Sequence, residues 1–474
     1  MIRTVLLLCV LSSPLWLMCM FLTAPRDYPY YSSMVTVPIL AAGCIAGLSV
    51  KWRHDKYLKL VLGTAAIVRI AAAGLLIWIG AVVYGASVDS FHYWSRGLQI
   101  ARQFQASGWD AFTPPYWNSW LIANICGLYT VMVGNELPSL MVLFALAALW
   151  GSYFFYRAFC LTFPMGNRHL YAALVFLLPS IVFWSSSIGK DALGQLFIGI
   201  TAFGFARVSQ RPTVRGGLIS AVGVAGALLV RPHVGAMLAL SITFAYIFGR
   251  APRGRLRTTT KFLLIPLVLA GAFFIAKTAT GFLGTDLDDS KSNINRIDMA
   301  TKDSQIGESA FNRGQPLAVR VLEAPLLLFR PFPWEVHGVM AAFAGLEGAI
   351  LLLFAWNRRR LLRSFVRDWR QPFVGFVLVY ALIFCIVFSA ATSNFGIVVR
   401  QRIMLTPLVL MLCCGRPQIG KGSARRRPKW RILASVPDGL ERSGAYRQFL
   451  PRPVPQARIA WNLPHFPSRD RFQS

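Results

Sequence analysis

The chain has 474 residues, of which 55% are hydrophobic and 14% are charged. This balance excludes an ordinary soluble globular domain. A spanning helix needs roughly 20 mostly apolar residues, and such stretches recur along the whole chain. They lack the alternating period of a barrel strand. The sequence therefore predicts an all-α polytopic membrane protein.

The formal net charge of +30 could indicate a nucleic-acid partner. Lys and Arg, however, fall in short clusters between apolar stretches and in residues 415–474. That distribution is typical of the positive-inside pattern of membrane proteins, so no nucleic acid is expected. The cysteines lie inside apolar segments without disulfide or zinc spacing.

The apolar stretches, taken in chain order, predict about twelve spans. The first stretch is long and has no clear small-residue cleavage site, so it is predicted to be a span and not a signal peptide. Segment 120–134 is apolar but short, and a full crossing there would place the later basic loops outside. We expect a re-entrant or juxtamembrane interfacial helix at that point. The predicted spans are residues 4–23, 33–50, 60–84, 140–163, 170–187, 192–208, 216–230, 234–249, 262–280, 338–356, 373–391 and 396–414.

If the N-terminus is cytoplasmic, all the basic segments between the predicted spans lie on the cytoplasmic side. The outer loops of the transmembrane domain 1–414 are then 85–139 and 281–335. Residues 415–474 are rich in Arg and Pro and predict a disordered cytoplasmic tail that touches anionic lipid. The expected location is the inner (cytoplasmic) membrane of the cell, with multiple passes and both termini cytoplasmic. The segments that fall inside are all basic, namely 51–59, 157–169, 207–215, 250–261 and 358–370.

The outer loop after the third span begins with DSFHYW at residues 89–94. Aromatic faces stack on sugar rings, and a carboxylate accepts a proton from an attacking hydroxyl as a general base. Asp89, Tyr93 and Trp94 are therefore candidates for sugar chemistry. The alternative is an interfacial aromatic belt in which Asp89 caps the following helix.

Two further outer turns carry cations suited to a phosphate. Lys190 and Asp191 lie between closely spaced spans, where Lys190 either neutralises a lipid-linked phosphate or pairs with Asp191, which also suits a helix cap. Arg231 precedes Pro232 and suits bidentate phosphate contact, or it is a snorkelling interfacial arginine.

Arginines inside apolar stretches are costly unless they have a partner. Arg400 and Arg402 lie near the outer end of the last stretch and indicate an anion there. Arg69 lies within the third span and needs a partner or a water-filled cavity, or it is an interhelical tie. No P-loop, dinucleotide fingerprint, zinc motif or serine elbow is present, so no metal ligands are assigned.

Several motifs carry a family resemblance: DSFHYWSRGLQIA at 89–101, the short apolar segment 120–134, the Pro-Ser-x-x-x-Trp-Ser and Lys-Asp turn, the Arg-Pro turn and the RQR segment. Together they resemble the GT-C superfamily of membrane glycosyltransferases, which use polyprenyl-phosphate sugars, and bacterial membrane proteins of surface-polysaccharide assembly. The resemblance covers roughly residues 69–233 and implies inverting transfer on the extracytoplasmic side. The implied roles are Asp89 as catalytic base, Lys190, Arg231, Arg400 and Arg402 as phosphate ligands, and Tyr93, Trp94 and His233 in substrate binding.

The resemblance implies a lipid-linked sugar donor, contact with membrane lipids and a glycan, lipid or protein acceptor. No cofactor is assigned, and a divalent cation stays an open alternative. A repeat-unit polymerase or ligase that uses lipid-pyrophosphate donors would need the same cations. A transporter or flippase without bond chemistry is the alternative from another class, although the two related halves usual in transporters are not visible.

Overall fold

The computed structural model describes residues 33–49, 55–112, 119–250, 319, 322–336, 339–391 and 395–416. Some predictions fall outside these residues. They are the spans 4–23 and 262–280, most of the loop 281–335, and the tail 415–474 apart from its first two residues.

Helices account for every regular element that is described, as the hydropathy pattern predicts. Short 3-10 turns occur at Gly108–Ala111, Ala324–Leu328 and Pro333–Glu335, and a π-helical segment, Ile79–Val83, directly continues the α-helix that ends at Trp78. The α-helices are α1 Ser33–Ser49, α2 Lys56–Trp78, α3 Asp89–Ser107, α4 Ser119–Val133, α5 Leu137–Thr162, α6 Arg168–Leu177, α7 Pro179–Trp184, α8 Lys190–Gln210, α9 Val214–Val230, α10 Pro232–Phe248, α11 Val339–Asn357, α12 Arg359–Arg367, α13 Pro372–Ala391, α14 Phe395–Arg402 and α15 Thr406–Cys414.

Several of these helices are long and apolar enough to cross a membrane. The bent pair α14 and α15 raises their number from four to five if it counts as one span. Helices α9 and α10 are shorter and coincide with predicted spans. The predicted number of about twelve spans is not confirmed. The four long segments are Lys56–Val83, Leu137–Thr162, Lys190–Gln210 and Pro372–Ser389.

Two stretches that were each predicted as a single span are interrupted helices. Stretch 170–187 contains α6 and the six-residue α7, divided at Leu178. Pro179 causes this break, because a proline disfavours helical conformation in the residue before it. Stretch 396–414 contains α14 and α15, which are bent by 55° relative to each other. Interruptions of this kind free backbone polar groups, which then need partners inside the protein.

The short apolar segment 120–134 forms the helix α4, which packs against the amphipathic helix α3. A Cβ added at Gly97 would collide with Cys126, and one added at Gly127 would collide with Ile100. The absence of both Cβ atoms lets the two helices pack closely as a hairpin. Its position relative to the bilayer stays a prediction.

Basic segments gather at one end of the helices. The Tyr57 hydroxyl donates a hydrogen bond to the carbonyl of His169 at 3.1 Å, and the amide of Arg250 donates to the carbonyl of Arg370 at 2.6 Å. Helix α8 begins at Lys190 and ends at Gln210, within the basic segment 207–215. Lys190 therefore lies at the end of the helix opposite this basic segment. The structure thus separates the basic loops from the candidate site residues, and which end faces the cytoplasm stays a prediction.

Helix α8 is held between α5 and α9, the two helices with which it has the most extensive contacts. A Cβ at Gly151 on α5 would collide with the backbone of Gln195 on α8, and a Cβ at Gly199 would collide with the carbonyl of Gly151. Small residues permit this close approach of two backbones in membrane proteins. The packing holds the N-terminal half of α8, whose first turn carries Lys190 and Asp191.

We expect Gly151→Ala to destabilise the protein by about 1–3 kcal/mol, because the new methyl group must push α5 away from α8. Thermal unfolding of the purified protein in detergent measures the effect. Gly217→Ala is the matched control, since its Cβ would meet no atom within 4 Å. That control should be neutral or slightly stabilising. Equal melting temperatures for the two variants would contradict the close packing.

Candidate functional site

Polar residues from four separate parts of the chain meet at the N-terminal end of α8. Asp89 is the first residue of α3, and Lys190 and Asp191 lie in the first turn of α8. Arg231 joins α9 to α10, and Arg400 lies on α14. The chain changes direction near each of these positions, so long-range packing decides which side chains meet.

Local sequence explains how the turns present these residues. Arg231 has an extended backbone with φ −145° and ψ 93°, because Pro232 disfavours a helical conformation before it. Val88 occupies the N-cap position of α3, and no side-chain cap bond forms there. Gly189 occupies the N-cap position of α8, again without a side-chain cap bond. Asp89 and Asp191 are therefore first-turn residues, and neither occupies the N-cap position.

Asp191 binds two arginines through its two carboxylate oxygens. Its Oδ1 accepts a hydrogen bond from Nη2 of Arg231 at 2.6 Å, and its Oδ2 accepts one from Nε of Arg400. The Asp191 side chain is only 2% exposed. A buried carboxylate shared by two guanidinium groups satisfies charges that would otherwise be costly to bury.

Arg400 extends this network to Asp89. Its Nη1 donates to Oδ2 of Asp89 at 2.8 Å. The Asp89 side chain is 56% exposed and that of Arg400 is 28% exposed. The network therefore extends from the buried Asp191 to the exposed Asp89. On the buried side, Nη1 of Arg231 donates to Oε1 of Gln401. Nε of Arg231 has no partner among the described residues.

Lys190 adds a further cation to this cluster. It lies within electrostatic range of Asp89, Asp191, Arg231 and Arg400, yet it forms no ion pair with any residue that the structure describes. Three cations therefore face two carboxylates in the described part of the chain. The resulting excess of one positive charge, located beside an unpaired and partly buried ammonium group, favours an anionic ligand.

The predicted sugar-binding residues have different surroundings. Tyr93 lies within electrostatic range of Asp89 and Arg400, and burial raises the pKa of its phenol, which stays neutral at physiological pH. His233 lies within range of Arg231. Trp94 is only 9% exposed, and its Nε1 donates to Oδ1 of Asn135 at 3.1 Å. Tyr93 and His233 thus border the cluster, whereas Trp94 is packed into the fold.

Arg402 does not join the cluster through any described contact. Its fully buried guanidinium donates to Oε1 of Glu347 at 3.2 Å and to the carbonyls of Arg330 at 3.1 Å and Ala344 at 3.3 Å. Its predicted role as a phosphate ligand stays a prediction, and these contacts favour a role in the scaffold.

Arg69 also lies outside the cluster. It donates to the hydroxyls of Ser185 at 2.6 Å and Ser152 at 3.1 Å, which joins α2 to α5 and to the turn before α8. This arrangement agrees with the alternative of an interhelical tie.

Two residues of the cluster were not predicted as part of the site. Asp191 was noticed only as a cap or as a partner of Lys190, and Gln401 was not considered. The sequence signal for Asp191 is an acidic residue in the first turn of an apolar helix, which does not distinguish a structural residue from a site residue. The partners that distinguish them lie 40 and 209 positions away in the chain.

These features define an α-helical protein with several helices long enough to cross a membrane and with a net positive ionic cluster at the N-terminal end of α8. Among the described residues, no group of three or more His, Cys, Asp or Glu side chains is placed to hold a metal ion. Compared with known proteins, the chain matches no family model, no curated protein and no solved structure.

Proposed function

We propose that this protein is a membrane glycosyltransferase that transfers a sugar from a polyprenyl-phosphate carrier to an acceptor on the extracytoplasmic side. The observation that carries the proposal is the convergence of Asp89 with Arg400, Arg231 and Lys190 in one cluster with excess positive charge. A lipid-linked phosphate is an anion that is delivered in the plane of the membrane. A partly buried cluster of cations suits such a ligand.

The proposed reaction is a single inverting displacement. The acceptor hydroxyl oxygen attacks the anomeric carbon, and the bond between that carbon and the phosphate oxygen breaks. Asp89 takes the proton of the hydroxyl. The electron pair of the broken bond stays on the departing polyprenyl phosphate, whose growing negative charge the cations stabilise.

The exposure of the residues fits these separate roles. Asp89 is the more open carboxylate and is accessible to an acceptor, whereas Asp191 is buried and holds the two arginines in place. Arg400 lies between the two carboxylates, and its partial exposure leaves it accessible to a phosphate. Lys190 has no described ion pair to lose when it binds an anion.

The proposal also includes the number of spans and the orientation of the chain in the membrane. About twelve spans, a GT-C-like arrangement and a position in the inner membrane with both termini in the cytoplasm would place the cluster at the outer surface. Surface-polysaccharide assembly is the process that this location suits. The acceptor would then be a glycan, a lipid or a protein of the cell envelope.

The proposal is tested by incubating the purified full-length protein in liposomes with a panel of radiolabelled polyprenyl-phosphate sugars and a cell-envelope extract. We expect label in an acceptor and release of free polyprenyl phosphate. Conversion only of lipid-pyrophosphate oligosaccharides would favour a polymerase or ligase. Movement of an unchanged labelled substrate across the bilayer would favour a transporter, and either result would overturn the transferase.

Lys190→Ala should weaken the binding of a short-chain prenyl phosphate such as farnesyl phosphate by about tenfold to a hundredfold. Loss of one charge-assisted contact is worth about 1.5–3 kcal/mol, which corresponds to that range. Binding to the detergent-solubilised protein is measured by microscale thermophoresis. Lys56→Ala is the control, because Lys56 is an exposed lysine at the basic end of the molecule. Equal affinities of wild type and Lys190→Ala would remove Lys190 from the site.

A further inference from the structure

We infer that Glu347 is a positioning residue of the site, because its carboxylate joins α14, which carries Arg400, to α7, the short helix that precedes Lys190 and Asp191 on α8. Glu347 lies on α11 and is 8% exposed. Its Oε2 accepts a hydrogen bond from the amide of Ser180 at 2.8 Å, and its Oε1 accepts one from Nη2 of Arg402 at 3.2 Å. One side chain thereby connects α7 with α14. This inference deepens the proposed function and depends on it for the nature of the ligand.

The connection matters because both helices are short: α14 carries part of the cluster, and α7 precedes the first turn of α8, which carries Lys190 and Asp191. Arg400 and Gln401 immediately precede Arg402 on the eight-residue helix α14. Ser180 is near the start of the six-residue α7, which leads directly to the turn with Lys190. Short helices have few backbone contacts of their own, so side-chain contacts decide their orientation.

The ion pair between Arg402 and Glu347 fixes the position of α14. Its guanidinium is fully buried, and Glu347 forms its only ion pair among the described residues. The carbonyls of Arg330 and Ala344 accept its other hydrogen bonds. A buried cation held on three sides has little freedom, and Arg400 lies only two residues away.

The approach of α11 to this region depends on close packing. A Cβ at Gly348 would collide with the carbonyl of Phe329, so the missing Cβ lets α11 lie against the segment that ends at Arg330. Glu347 precedes Gly348 and is therefore held at a fixed depth. The contacts of Glu347 and the cluster contacts of Asp191 are two separate connections between the α7–α8 region and α14.

We expect Glu347→Gln to weaken farnesyl phosphate binding by the full-length protein by about tenfold to a hundredfold, since a displaced Arg400 loses a charge-assisted contact with the phosphate. The variant Arg400→Ala should also bind weakly. If Glu347 acts through Arg400, adding Glu347→Gln to Arg400→Ala should cause little further loss. Asp368→Asn serves as the control, because Asp368 pairs with Arg250 in an exposed contact away from the cluster.

A second variant separates positioning from stability. Glu347→Met combined with Arg402→Met removes both charges, so melting temperature should return towards that of wild type. Farnesyl phosphate binding should stay weak, because α14 has lost its anchor. Wild-type affinity in the double variant, or fully additive effects of Glu347→Gln and Arg400→Ala, would overturn the inference. A wild-type protein that binds no farnesyl phosphate would count against the proposed function, and the inference would fall with it.

Discussion

Asp89→Asn is expected to lower sugar transfer by about 10²–10⁴-fold, the usual contribution of a general base. Asparagine has nearly the same shape but cannot take the proton of an acceptor hydroxyl. The substitution removes one ion pair of Arg400, which keeps its contact with Asp191. The Asp89 side chain is mostly exposed, so insertion and folding should be unchanged. Release of labelled polyprenyl phosphate measures transfer, and gel filtration in detergent measures folding.

Asp110→Asn is the matched control for this experiment. Asp110 is exposed on the 3-10 turn that follows α3 and has no described ion pair. Its substitution should leave transfer unchanged. Undiminished transfer by Asp89→Asn would show that another group accepts the proton. Equal losses in both variants would point to a general effect of charge on this segment.

Asp191→Ala is expected to destabilise the protein by about 3–5 kcal/mol, the cost of leaving a buried partner without its counter-charge. The side chain of Arg231 is 8% exposed and would lose its only described carboxylate. Arg400 would keep Asp89 and suffers less. Thermal unfolding of the purified protein in detergent, followed by tryptophan fluorescence, measures the loss.

A contrast between buried and exposed ion pairs makes this prediction specific. Asp368→Ala breaks the pair with Arg250, whose side chain is 69% exposed, and should cost no more than about 1 kcal/mol. Combining Asp191→Leu with Arg231→Met should recover much of the stability, because no unpaired charge stays buried. Similar melting temperatures for Asp191→Ala and Asp368→Ala would mean that Arg231 has another counter-ion.

Much of the helix pattern could be predicted from the sequence, because a continuous apolar stretch specifies a helix locally. The predicted stretches 33–50 and 373–391 correspond to α1 and α13 within a few residues. Where a predicted stretch is not one continuous helix, a local break decided the outcome. The interruptions at Leu178 and between α14 and α15 are hidden by hydropathy averaged over a whole span. Pro179 is the local signal for the first of them.

The sequence by itself determined which residues are candidates for chemistry, because charges next to apolar stretches are costly and therefore conspicuous. Only the tertiary structure decided their partners. Asp89 and Arg400 are 311 positions apart, and no local pattern brings them together. The same packing separates Arg400 from Arg402, which lie on one short helix, and directs the first to the cluster and the second to Glu347. The physical reason is that hydropathy acts within a single segment, whereas an ion pair requires two distant segments to be held at hydrogen-bond distance.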